Sequence, residues 1–143
     1  SATEVDLDFN VNCMTDSNGV LMGVSGGHSD TAAGAKLAVI VVPLIRGRLP
    51  MIRDKVQTVI TPGESIDVIV TERGLAVNPK RTDLLEKLKE SNLPLYTIQE
   101  LQQMSYDLVG KPKDIEVSQD DKDIVAVVEY RDGSIIDLVR KPL

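Results

Sequence analysis

Residues 23–30 read Gly-Val-Ser-Gly-Gly-His-Ser-Asp and set the chain's only histidine, His28, beside Ser29 and Asp30. Glycines let backbone N–H groups approach a ligand closely, and the unpaired N–H groups that open a following helix favour phosphate, carboxylate or a developing oxyanion. The chemistry on offer is oxyanion stabilisation by the backbone of Gly26, Gly27 and His28, with Ser25, Ser29 and Asp30 as polar neighbours for a substrate. On spacing alone the same run reads equally well as a tight strand-to-helix turn with a cap. It lacks the Gly-Lys-Ser/Thr of a nucleotide-hydrolase loop and the dinucleotide fingerprint. Adjacency argues against a hydrolase triad, because neighbouring side chains on a cap point apart whereas triads are assembled from distant segments. One His, one Cys and scattered carboxylates show no ligand spacing, so no metal is expected.

Two further groups carry candidate binding chemistry. Asn10 and Asn12 fall on the polar side of an alternating stretch and can hold a polyhydroxy or carboxylate substrate without adding charge. Arg46 and Arg48 stand in a basic segment and form a candidate carboxylate or phosphate clamp. For both groups the plainer reading is a solvated surface.

The elements that must position these residues follow from periodicity. Val5, Leu7, Phe9, Val11 and Cys13 alternate with polar residues, which predicts a half-buried strand; with the turn at 16–19 and Val20–Met22 it predicts a hairpin over 5–22. Ser29 or Asp30 is expected to cap a small-residue helix over 31–36, followed by a β-branched strand over 37–42 covered on both faces. The segment 44–54 reads as a loop, 56–61 and 66–71 as strands, and Leu75–Val77 as a short one. Helices are expected from Thr82 to near Asn92, and from a Thr97/Glu100 capping box to a stop at Gly110. The charged stretch 111–123 reads as a surface linker, and 124–130 with 135–139 as a closing hairpin. The result is an α/β domain over 1–110, a linker, and a β-hairpin extension over 124–143.

Composition narrows the partners. A net charge of -6 disfavours nucleic acid and anionic membranes. With three Tyr, one Phe and no Trp, stacking on bases is nearly unavailable. The longest apolar run is too short to cross a bilayer, the first residues show no signal core, and the lone Cys13 fits a reducing compartment, so the expected location is cytoplasmic.

Beyond these readings, the chain resembles a known family. Asp8-Phe9-Asn10-Val11-Asn12, Gly26 to Ala33, Pro43 to Arg48, Thr61-Pro62-Gly63, Gly74 to Pro79 and Tyr130 to Asp137 together look like the C-terminal part of the citrate lyase alpha subunit, in the same order and over nearly the whole chain. The resemblance implies a coenzyme A transferase-like layered fold with a mixed, largely parallel sheet flanked by helices, of which this chain is the second of a pair of α/β domains, the first being absent. It implies a citrate CoA-transferase (EC 2.8.3.10) within the citrate lyase complex (EC 4.1.3.6), exchanging acetyl for citryl on an acyl carrier protein through a mixed anhydride. The implied partners are the beta subunit and the gamma acyl carrier subunit, with citrate and acetate as small molecules, in an oligomer. No cofactor is expected on this chain itself; the reaction uses the phosphoribosyl-dephospho-CoA arm of the carrier. Citrate and citramalate lyases share this architecture. From the residues alone, a noncatalytic module that binds an acidic metabolite or docks subunits is the alternative.

Overall fold

The computed structural model describes residues 1–143. In chain order the elements are β1 (Glu4–Asp6), β2 (Val11–Asn12), α1 (His28–Gly34), β3 (Val39–Val41), β4 (Ile45–Arg46), β5 (Leu49–Pro50), β6 (Ile52–Arg53), β7 (Val68–Thr71), β8 (Gly74–Val77), α2 (Thr82–Lys89), β9 (Leu95–Tyr96), α3 (Ile98–Val109), β10 (Ile124–Glu129) and β11 (Ile135–Arg140). Short 3-10 turns occupy Gly63–Ser65 and Asp121–Asp123. One sheet runs β2-β1-β6 and another β3-β7-β8-β9, both with parallel and antiparallel pairings. The main core lies among these two sheets and α3, with Val5, Ile40, Leu44, Ile52, Ile69 and Leu101 at its centre.

The alternation over residues 5–13 does not make one strand. The Asp6 carboxylate accepts the N–H groups of Asp8 and Asn10 at 3.0 and 2.9 Å and the Asn10 amide at 3.1 Å, which folds the chain back within four residues. Phe9 takes the left-handed conformation (φ 65°) and buries its ring. A two-residue period therefore became a tight reversal, with β1 and β2 antiparallel on either side of it. The turn at 16–19 forms around Asp16, but only a single bridge, Thr15 to Leu21, follows it, so the hairpin expected over 5–22 is corrected to one over 4–12.

Three other segments depart from expectation. The run 37–42 yields a strand at a sheet edge whose Ile40 is buried while Val39 and Val41 are 44% and 60% exposed, so it is covered on one face and not on both. The segment 44–54 is not a loop. Gly47 and Arg48 both adopt positive φ (55° and 75°), the geometry of a two-residue hairpin turn, and join β4 to β5. Residues 56–61 alternate in burial as a strand would, yet carboxylates replace the ladder: Val56 N–H donates to Asp6, Gln57 N–H to Glu4 and Val59 N–H to Asp137.

The later elements follow the sequence closely. The Thr97/Glu100 capping box is made in both directions and Gly110 (φ 83°) ends α3. α2 stops at Lys89, short of Asn92. Strands β10 and β11 pair antiparallel across a turn with Gly133 at φ 85°. A second apolar cluster of Met14, Ile60, Val128 and Val139 fastens this hairpin to the body. Within 111–123, Ser118 is buried and its N–H donates to Lys141, so the end of that stretch is packed rather than a free linker.

Candidate functional site

The glycine run leaves the body at Met22, whose N–H donates to Met14, and returns at Ala38, whose N–H donates to Asp67. Between them Ser25 to His28 forms a turn in which the His28 N–H donates to the Ser25 carbonyl at 3.2 Å and Gly26 takes φ 53°. The helix then begins at His28 with Gly27 as its N-cap and no side-chain cap. Ser29 and Asp30, expected as caps, lie inside the first turn with side chains that bond to nothing in the chain; the correction places α1 three residues earlier than the sequence suggested. Gly26 and Gly27 are exposed, their N–H groups donate to no protein atom, and a Cβ built on either would meet nothing within 4 Å.

His28 is held differently. Its Nε2 faces the Ser1 carbonyl at 3.2 Å, and its Nδ1 lies 2.7 Å from the Thr61 hydroxyl. A carbonyl can only accept, so Nε2 carries the proton and Nδ1 accepts from Thr61. Burial holds the His28 imidazolium below the ordinary histidine range, which agrees with a neutral ring. Nearby, Arg46 donates to the Ala2 carbonyl at 3.3 Å, so adjacent carbonyls of one short segment gather His28 and Arg46. Arg48 stands at the exposed tip of the β4–β5 turn and makes no hydrogen bond within the chain.

The asparagines do not form a solvent-facing row. Asn12 is fully buried: its amide donates to Glu4 at 3.0 Å and to the Thr15 hydroxyl at 2.7 Å, and its Oδ1 accepts from the N–H groups of Met14 and Thr15. Asn10 donates to Asp6 and accepts from the Gly63 N–H at 2.9 Å. Asn78 completes this arrangement by donating to the carbonyls of Gly63 and Ile66. Asn10 also lines a cleft of about 460 Å³ with Asp8, Glu64, Asn78 and Lys80, whereas no glycine-loop residue lines it. The structure therefore places Asn10 and the glycine loop in separate regions. Burial pushes the Asp6 carboxyl up against four hydrogen-bond donors that favour its ionised form.

Thr61 was not singled out as a site residue by sequence reasoning, although Thr61-Pro62-Gly63 is among the motifs that carry the resemblance. A buried threonine before Pro-Gly gives no signal until the fold brings it against His28. No three His, Cys, Asp or Glu side chains gather in a way that would hold a metal ion, and no helix is long and apolar enough to cross a membrane.

Comparison with known proteins gives a consistent picture. Residues 1–142 match the family described as Citrate lyase, alpha subunit (CitF). The chain is 58% identical over 141 residues to the citrate lyase alpha chain of Klebsiella pneumoniae, and 54% and 50% identical to those of Haemophilus influenzae and Escherichia coli. These alignments cover 97–99% of this chain but only 27% of each relative, so the chain spans about a quarter of their length. Among solved structures it superposes with a TM-score of 0.93, at 54% identity and over 99% of its length, on 27% of a chain described as the alpha subunit of citrate lyase from Streptococcus mutans in complex with citrate.

Proposed function

Because this chain belongs to the citrate lyase alpha subunit family, we propose that it contributes half of an acyl-transfer site, exchanging acetyl for citryl on the thioester of an acyl carrier protein. The observation that carries the reading is the pair of unspent N–H groups on Gly26 and Gly27, exposed on an open surface beside a neutral His28. Open space over both glycines admits an extended carrier arm of the coenzyme A type, which supplies the thioester carbonyl and its thiol. In the paired architecture of the family, a second α/β unit faces this surface and closes the site. Citramalate is the alternative substrate of the same shape.

The roles of the residues follow from charge. A citrate carboxylate is a weak nucleophile, and its attack on the thioester carbonyl puts negative charge on the former carbonyl oxygen. The Gly26 and Gly27 N–H groups donate to that oxyanion. Collapse expels the carrier thiolate and leaves a citryl–acetyl mixed anhydride; the thiolate then attacks the citryl carbonyl and acetate departs. Arg46 and Arg48 draw the citrate carboxylates to the surface, the Ser25 and Ser29 hydroxyls donate to those carboxylates, and Asp30 accepts from the citrate hydroxyl. Asn10 and Asn12 are left out of this scheme because their amides are already committed within the fold. The beta subunit, the gamma carrier subunit and an oligomeric, cytoplasmic complex belong to the same reading.

The test is citrate-dependent release of acetate from an acetylated carrier by the full-length alpha chain. Release that requires citrate supports the transferase. A chain that binds citrate but releases no acetate is the binding or docking module instead, and release without citrate marks a thioester hydrolase.

A further inference from the structure

From Gly23 to Lys36 the chain makes hydrogen bonds only within itself, with one exception: the His28 imidazole, which bonds to Thr61 and Ser1. No residue of α1 is fully buried, and its apolar hold on the core is the single small side chain of Ala32. The glycine loop and its helix are thus hydrogen-bonded to the body through one ring alone.

The body end of that tether is stiff. Thr61 is wholly buried, its N–H donates to the Val11 carbonyl at 3.1 Å, and its carbonyl accepts from the Val11 N–H at 2.9 Å. Val11 belongs to β2, which is paired to β1, and Pro62 restricts the backbone on the other side. The Thr61 hydroxyl therefore sits at a fixed point of the fold, 2.7 Å from Nδ1.

We propose that Thr61 is a positioning residue for acyl transfer: by donating to Nδ1 it anchors the His28 ring, whose neutral Nε2–H tautomer the Ser1 carbonyl selects, and so sets where the Gly26 and Gly27 N–H groups point. This inference rests on the transferase reading for its kinetic consequence but not for its structural one. His28 is then a strut with both nitrogens engaged, and its side chain is neither the acid nor the base of the reaction. A hydroxyl is needed at position 61, and valine, of the same shape, lacks the proton to donate.

The experiment uses the full-length alpha chain as wild type, Thr61→Val and Thr61→Ser. Imidazole nitrogen resonances, with His28 identified by its loss in His28→Gln, report the tautomer; kcat and KM for citrate are measured on an acetylated carrier. Wild type shows a protonated Nε2 and an unprotonated, hydrogen-bonded Nδ1 at neutral pH. Thr61→Val loses the hydrogen-bond shift at Nδ1, with Nε2 still protonated against the Ser1 carbonyl, and loses roughly ten- to a hundredfold in kcat, with KM for citrate little changed, as expected when catalytic groups are misplaced and binding is not. Thr61→Ser restores both. The proposal is overturned by a wild-type His28 that is Nδ1-protonated or charged at neutral pH, a result that needs no variant to fold. It is also overturned by a Thr61→Val chain that keeps the wild-type Nδ1 resonance or the wild-type rate, or by Thr61→Ser failing as badly as valine. A wild-type chain with the expected tautomer but no transfer sinks the transferase reading alone.

Discussion

Two regions joined by Thr61 use polar groups in opposite ways. Around Gly63 the side chains of Asn10 and Asn78 converge on one glycine, with Glu4, Asp6 and Asn12 packed behind, and every buried side-chain nitrogen and oxygen finds a partner. Around Gly26 and Gly27 the backbone donors are left unspent and the side chains of Ser29 and Asp30 point at nothing in the chain. Buried polar groups must be satisfied, so the first region is architecture however rich it is in amides and carboxylates. The exposed donors of Gly26 and Gly27 meet no acceptor in the chain and belong to the other kind of region.

Exchanging glycine for alanine in each region breaks the comparison most sharply. A Cβ on Gly63 would lie 1.9 Å from the Asp8 carbonyl oxygen, backbone against backbone. Gly63→Ala is expected to cost upwards of about 4 kcal/mol or to prevent folding, measured by denaturant unfolding. Next in size is Asn12→Ala, which strands the Met14 and Thr15 N–H groups and is expected to cost roughly 3 kcal/mol. Retained stability in either variant would show that the knot is looser than its hydrogen bonds imply. Gly27→Ala meets open space and is expected to cost only about 0.5 kcal/mol, the usual penalty at an N-cap.

The smallest effect concerns pH. His28 has a folded pKa below its ordinary 6.5, so the unfolded chain binds its proton more readily. Its contribution to stability is complete above pH 6.5 and falls away as the pH drops toward the folded value. In full-length protein the Tm of wild type should therefore fall faster than that of His28→Gln as pH is lowered from 7.5 to 5.5. Parallel curves would mean that the ring is free to charge in the folded state.

Much of this was legible in the residues, and what was not has a common cause. The α3 capping box, its Gly110 stop and the closing hairpin are local devices, and local chemistry decided them. The alternation over 5–13 misled because a carboxylate two residues into the run, Asp6, captured the following N–H groups and turned the chain. No pattern of apolar residues records that competition. The glycine run was readable as the place for chemistry, whereas Asn10 and Asn12 stood as binding candidates only because the expected strand put them on a common polar face. The bare side of β3, with Val39 and Val41 exposed, marks the opposite failure: the sequence carries a strand suited to cover on both faces, and this chain covers one.

The most direct test of the separation between the two regions is a citrate titration of isotopically labelled full-length alpha chain, following backbone amides of Gly26 and Gly27 alongside the side-chain amides of Asn10 and Asn12. Saturable shifts at Gly26 and Gly27, with Asn10 and Asn12 unmoved, are the predicted result. Shifts at the asparagine amides with the glycine loop silent would contradict it and move the chemistry to the cleft lined by Asn10, Glu64 and Lys80.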